Sequence, residues 1–341
     1  LPMNVLLVRP DGIGDLVLSL PVAAQLRQLM PGVRIGVLAN PIAAPILEHH
    51  PDVDYVRTVS LQAPIPDMIK VFSGGIDAVI FLKPFRRLMW AAWRAGIPIR
   101  VATGFRWQSV LANRWIHEHR SSFQKHESEC NVEMLKGLRL TPLPVVAPAL
   151  RLTDAERSAG ERRWNGSQLP RVVIHPGGVS ARHWHPTQYR ELAQRLAQGG
   201  YAVGLTGNQV EREQFQSGAL AGVVLHSGVM NFMGQLAVRE LMAVIAAAHV
   251  VVSGATGPAH LAAALGVPTL SLFDPRRNNL PTRWKPLGRG MLLRPDVPTC
   301  EKCIGEACPY WDCLDRFTVE DVVARLGTVV RSAQPLTIHH I

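Results

Sequence analysis

Three short stretches of this sequence pair glycine with a group that can bind or move charge. The first is Asp11-Gly12-Ile13-Gly14-Asp15, just after the apolar run from Asn4 to Arg9. Its glycines let the backbone turn sharply and come close to a ligand. Asp15 would stand at the N-terminus of the helix that follows. Two roles are open to it: capping that helix by accepting from orphan N–H groups, or serving as a general base. In the second role the helix dipole would lower its pKa, so the substrate hydroxyl must be held close. The loop lacks the third glycine of a dinucleotide fingerprint, and no acidic residue follows at the right distance after a second strand. A nicotinamide site is therefore a poor match.

The second stretch is Ser253-Gly254-Ala255-Thr256-Gly257-Pro258-Ala259-His260. A strand, a glycine loop and a helix start make an anion pocket from free first-turn N–H groups, and Pro258 suits the first helical positions. A diphosphate fits across Thr256 and Gly257, with His260 one turn further in. The plainer alternative is an ordinary connection holding a satisfied histidine. The third stretch is His175-Pro176-Gly177-Gly178, followed by Arg182-His183-Trp184-His185-Pro186. It is a second glycine loop with a cation close behind. Either loop alone says little, whereas two in one domain, each after a strand, are what a nucleotide diphosphate needs.

Four cysteines, Cys300, Cys303, Cys308 and Cys313, crowd into one segment. The leading Cys-x-x-Cys resembles a zinc knuckle, but the later four-residue spacings are unusual for one. The alternatives are a structural zinc and a group of reduced thiols. No Ser-His-Asp arrangement or paired-carboxylate glycosidase site is discernible.

The elements that must position these residues follow from periodicity. Asn4–Arg9 reads as a buried strand and Asp15 to about Met30 as a helix stopped by Pro31-Gly32. Strands are expected again at Val33–Leu38 and Asp77–Leu82. Pro142, Pro144 and Pro148 punctuate a linker over Thr141–Leu152. The pattern then restarts, with strands at 171–174, 201–205, 249–253 and 267–273. Helices are expected at about 187–198, 239–248 and from Pro258 to Gly266. Alternating strands and helices imply parallel sheets covered on both faces. The fold class is α/β, with two Rossmann-like domains, 1–150 and 151–341, facing a cleft.

The chain has 341 residues, 47% hydrophobic and 18% charged, which excludes disorder and a small disulfide scaffold. No run reaches the roughly 18 apolar residues of a membrane span. The opening residues do not read as a signal peptide, and the odd, clustered cysteines point to the cytoplasm. Formal net charge is +10, which favours an anionic partner. Residues 83–125 concentrate it: nine basic groups stand against Glu118 alone. Phe85, Trp90, Trp93, Phe105, Trp107 and Trp115 are interleaved with these cations. The segment is either a solvated face with core tryptophans or a surface for a nucleic acid or an acidic glycolipid.

Together the motifs resemble glycosyltransferase family 9, the lipopolysaccharide heptosyltransferases. The resemblance runs over nearly the whole chain. It rests on Gly14-Asp-Leu-Val-Leu-Ser-Leu-Pro21, on Ile174-His175-Pro176-Gly177, on Thr256-Gly-Pro-Ala-His260 continuing to Gly266, and on the tail from Cys300 to Leu314. It implies a GT-B fold with a terminal helix packing back toward the first domain. It implies inverting transfer of a sugar, typically from ADP-heptose, onto a phosphorylated, lipid-anchored core acceptor, with no catalytic metal or other cofactor. The site would be cytoplasmic, at the inner membrane surface. By the same resemblance Asp15 is the base, Arg182 takes the place of a phosphate-contacting lysine, and Gly177, Gly178, Thr256, Gly257 and His260 hold the donor. Gly14, Lys83, Arg86, Arg87 and Arg106 fall on the acceptor side. A phosphorylated glycolipid then becomes the favoured anionic partner over nucleic acid. One departure stands out: many members carry Asp where this chain has Ala255. That leaves a branch with another donor, or a catalytically weak relative, as alternatives.

Overall fold

The computed structural model describes residues 3–178, 182–331 and 336–340. The chain forms two compact units, one ending at Arg151 and the next starting at Leu152. Both are built on parallel sheets whose central strands are buried and mostly apolar, because helices cover both faces.

In the first unit the elements run β1 (Asn4–Val8), α1 (Ile13–Val17), α2 (Leu20–Leu29), β2 (Arg34–Ala39), β3 (Tyr55–Thr58), α3 (Ile65–Lys70), β4 (Ala78–Phe81), α4 (Arg86–Arg94), β5 (Ile99–Thr103), β6 (Arg114–Ile116) and α5 (Glu127–Val132). The sheet order is β3-β2-β1-β4-β5-β6, all parallel. The chain crosses from one side of β1 to the other between β3 and β4, so β1 and β4 flank a topological switch point. Ligands of open α/β sheets bind outside the strand ends at such a point. The single helix expected from Asp15 to Met30 is instead two. Pro21 lies in the first turn of α2, where its missing N–H costs nothing, but further along a continuous helix its ring would strike the carbonyl four residues back. Asn131 and Ser128 of α5 then bind the Leu18 carbonyl at the break, at 3.1 and 2.8 Å.

The second unit runs α6 (Asp154–Arg163), β7 (Arg171–His175), α7 (Pro186–Gln198), β8 (Ala202–Leu205), α8 (Gln209–Ser217), β9 (Val229–Asn231), α9 (Val238–Ala246), β10 (Val250–Gly254), α10 (Gly257–Ala264), β11 (Thr269–Leu272), α11 (Pro281–Trp284), β12 (Gly290–Arg294), α12 (Val319–Arg331) and β13 (Thr337–His340). Its sheet order is β13-β12-β11-β10-β7-β8-β9, again parallel. Here the switch point lies between β7 and β10, where His175, the last residue of β7, is the register partner of Ser253. Helix α12 packs on α7 and on β10 to β12 of this unit. Trp184, buried, donates to the Phe317 carbonyl at 2.9 Å and anchors the core between them.

Candidate functional site

In the first unit the chemistry gathers where β1 ends. Arg9 follows the last β1 residue, and its guanidinium is almost fully buried. Nε donates to Asp11 at 2.8 Å. Nη1 donates to Glu127 at 2.9 Å and to Asn131 at 3.3 Å. Nη2 donates to Asp15. Glu127, with a side chain only 1% exposed, also accepts from Arg120 at 2.5 Å. Lys83, just after β4, reaches Asp11 at 3.1 Å. Three carboxylates and three cations thus interlock across the switch point. Charges this buried persist only when paired and hydrogen-bonded.

Asp15 is the most solvent-accessible of the three acids, its side chain 27% exposed. It does not cap the helix. Gly12 is the N-cap, with no side-chain hydrogen bond, and Asp15 is the third residue of α1. Gly12 also leaves it room, since a Cβ there would lie 3.2 Å from Asp15 Oδ2. The expected lowering of its pKa is reversed. Burial raises it above the ordinary aspartate value, Asp11 adds to the rise, and Arg9, which also serves two other acids, does not outweigh them. Asp15 is therefore a stronger base than the helix dipole alone would allow.

Of the residues assigned to the acceptor side, Gly14 lies beside Asp15 in α1 and Lys83 joins the network. Arg87 is spent on structure, donating to the Leu61 and Ala63 carbonyls at 2.8 and 2.7 Å. Arg86 and Arg106 are exposed, and the Arg86 guanidinium lies over the Trp107 ring, 5.9 Å from its centroid.

In the second unit the two glycine loops leave β7 and β10 side by side and touch. A Cβ on Gly178, whose φ is +143°, would stand 2.5 Å from the Thr256 methyl and 2.5 Å from His183 Cε1. A Cβ on Gly177 would collide with the Glu211 carboxylate. Glu211 is fixed by the capping box of α8, accepting from the Asn208 amide at 2.8 Å. His183 Nε2 is 2.9 Å from the Gly178 carbonyl. A carbonyl only accepts, so Nε2 carries the proton and Nδ1 holds a lone pair. That Nδ1, and Oγ1 of Thr256, are buried without a hydrogen-bond partner among the described residues. Thr256 is the N-cap of α10 but makes no side-chain cap, and Gly257 opens the helix. His260 is buried one turn in. Burial lowers the pKa of His175 and of His183, so both rings are neutral at pH 7.

Arg182 is engaged by the protein's own groups. Its backbone N–H donates to the fully buried Asp274 at 2.8 Å, and its guanidinium turns to the Trp311 carbonyl at 3.2 Å and Cys313 Sγ at 3.5 Å. It thus joins the cysteine-rich segment. There Cys300, Cys303, Cys308 and Cys313 line one cavity of about 30 Å³, with all four thiols free. Burial raises the pKa of Cys300 and of Cys313. Among the described residues no three Cys, His, Asp or Glu side chains are grouped to hold a metal ion.

Several members of this constellation escaped sequence reading. Arg9 read as the end of a strand, and Glu127 carried no reading at all. Asp274, which follows the apolar run into Phe273, fixes the loop bearing Arg182 and could have been suspected from its place at the strand's carboxyl end. Glu211 carried a readable signal, the Asn208-x-x-Glu211 capping box.

The sequence profile of glycosyltransferase family 9 (heptosyltransferase) matches residues 75–310. Lipopolysaccharide heptosyltransferase 1 of Pseudomonas aeruginosa is 26% identical over 90% of this chain and 88% of its own. The crystal structure of Escherichia coli ADP-heptose lps heptosyltransferase II superposes with a TM-score of 0.81, at 23% identity, covering 96% of this chain and 98% of that one. An E. coli heptosyltransferase solved with ADP-2-deoxy-2-fluoro heptose gives a TM-score of 0.69 at 20% identity, covering 96% and 99%. These structures share the fold, two parallel-sheet α/β domains of the GT-B type.

Proposed function

The chain belongs to glycosyltransferase family 9, and on that premise we propose that it moves a heptose from ADP-heptose onto a lipopolysaccharide core, with inversion at the anomeric carbon. In this reading the first unit receives the phosphorylated glycolipid and the second holds the nucleotide sugar. Among the described residues no helix is long and apolar enough to cross a membrane. The enzyme would work on the inner face of the inner membrane, where a lipid-anchored acceptor is presented.

One observation carries the donor assignment. Two buried polar atoms, Thr256 Oγ1 and His183 Nδ1, lie beside the start of α10 with no hydrogen-bond partner among the described residues. Buried polar groups are normally satisfied, and a diphosphate with its sugar offers both an acceptor and hydroxyl donors. The helix start adds backbone N–H groups and a favourable dipole for the anion. Among the described residues the Arg182 guanidinium is tethered to a carbonyl and a thiol, so a diphosphate can draw it across.

The chemistry follows. The acceptor oxygen attacks the anomeric carbon as the bond to the diphosphate breaks, and the bonding pair leaves with ADP. The acceptor proton passes to Asp15, whose raised pKa suits it to take that proton. Amides at the start of α10 and the Arg182 cation stabilise the leaving charge. Ala255, half-buried between Gly254 and Thr256, favours a second reading, in which the missing carboxylate means another donor or slow turnover.

Thermal shift against ADP-, UDP- and GDP-sugars tests the donor. A ligand at a hundred times its Kd stabilises the native state by about 2.7 kcal/mol. ADP-heptose is expected to raise Tm most. A rise with UDP- or GDP-sugars alone would change the donor, and no rise with any of them would remove the reading.

A further inference from the structure

We propose that the outward face of α4, with the turn Trp107–Leu111 and the strand β6 beside it, is a docking surface for an anionic lipid bilayer. Helix α4 buries Leu88, Met89, Ala91 and Ala92 against its own unit. Its opposite stripe is Arg86, Trp90, Trp93 and Arg94, all exposed. The helical period thus places bulky aromatics and cations together on the solvent side. Burying Trp90 and Trp93 would have cost the sequence nothing in composition, yet Trp93 is 49% exposed.

The neighbouring turn continues the surface. Trp107 is 72% exposed and Val110 75%, and Arg86 lies over the Trp107 ring. Trp115 of β6, itself 55% exposed, is tied to the same turn by its indole N–H, which donates to the Ser109 carbonyl at 2.8 Å. Arg106 and Arg114 flank these rings and are exposed. Such a combination suits the headgroup boundary of a membrane, where indole rings settle and arginines meet lipid phosphates. The one acid of segment 83–125, Glu118, is already paired with Lys125 at 2.9 Å, so that segment presents no unpaired acid to an anion. Val110 favours a bilayer over a nucleic acid, because an aliphatic tip inserts among lipids but has no ring to stack on a base.

The surface also leads to the proposed base. Lys83 lies over Phe85, 5.3 Å from the ring centroid, and binds Asp11, which shares Arg9 with Asp15. A headgroup seated on Arg86 would hold an attached glycan near that rim. The inference takes its purpose from the proposed lipid-anchored acceptor, but its test uses vesicles that contain none, so each can fail without the other.

Sedimentation with mixed phosphatidylglycerol–phosphatidylcholine vesicles, against pure phosphatidylcholine, provides the measurement. The unmodified chain is expected to sediment with the anionic vesicles and far less with the neutral ones. Trp93→Ser with Val110→Ser should weaken that partition by about tenfold, and Arg94→Glu by about fivefold or more. Folding of each variant is read separately from its melting transition and its donor-induced thermal shift. Equal partition of all variants, absence of sedimentation, or binding of a single-stranded oligonucleotide in place of vesicles would overturn the docking surface.

Discussion

Gly178 and Thr256, on loops that follow neighbouring strands, are packed so closely that a single added carbon on Gly178 would stand 2.5 Å from the Thr256 methyl. The backbone there has a φ of +143°, a conformation that L side chains rarely adopt. The two loops therefore meet in close contact at Gly178 and Thr256.

Gly178→Ala should break that contact while leaving the sheet intact. Backbone strain of this kind costs about 1–3 kcal/mol, and the Thr256 and His183 contacts add to it. The expected result is a loss of ADP affinity of about tenfold or more by calorimetry, with native circular dichroism. Unchanged affinity would separate the loop from the nucleotide.

Asp15→Asn should abolish transfer and spare nucleotide binding. Loss of a general base typically costs about 10²–10⁴ in rate. The base works only when ionised, and burial raises its pKa above the ordinary aspartate value. The rate should therefore fall with acid at a higher pH than a solvated aspartate would give. Near-normal turnover by Asp15→Asn would remove the assignment.

Glu127→Ala leaves Arg9 and Arg120 without their shared acid. Breaking a buried pair typically costs about 3–5 kcal/mol, so a large fall in the denaturation midpoint is expected. Glu127→Gln keeps the shape and loses only the charge. In that variant Arg9 serves two acids instead of three, and the acid limb of the pH–rate profile should move to lower pH. A fixed limb would mean that Asp15 is insensitive to the network.

Ala255→Asp tests the departure from the family pattern. A new hydrogen bond from a charged group to the donor sugar is worth about 1.5–3 kcal/mol, which predicts a rise in kcat/KM with ADP-heptose of about tenfold or more. A fall, or a preference for another nucleotide sugar, would favour the branch with a different donor.

The central strands and the glycine loops that follow β7 and β10 were legible because each strand is a largely apolar run that leads into a glycine or proline. The same local signals concealed the network around Arg9. Its partners Glu127 and Asn131 lie far along the chain, and nothing near Val8-Arg9-Pro10 announces that the guanidinium is buried. Edge strands were missed for a related reason: Arg114-Trp115-Ile116 is half solvated and shows no alternation. Arg182 shows the limit of matching residue types, because its position agrees with a phosphate-binding cation while its side chain is held by the cysteine-rich segment. The dipole argument for Asp15 pointed the wrong way, since burial and a second nearby acid outweigh one short helix.

The tryptophans divide unevenly between the halves of the molecule. Trp90, Trp93, Trp107 and Trp115 of the first unit are all exposed, whereas in the second Trp164 and Trp184 are fully buried, Trp284 is half-buried and Trp311 is exposed. Intrinsic emission is therefore a built-in reporter with two channels. Long-wavelength light arises from the four rings of the first unit together with Trp311 of the second, and is open to quenchers in solution. The blue-shifted, shielded component comes from Trp164 and Trp184 in the core of the second, so loss of order in that half can be followed in the unlabelled protein.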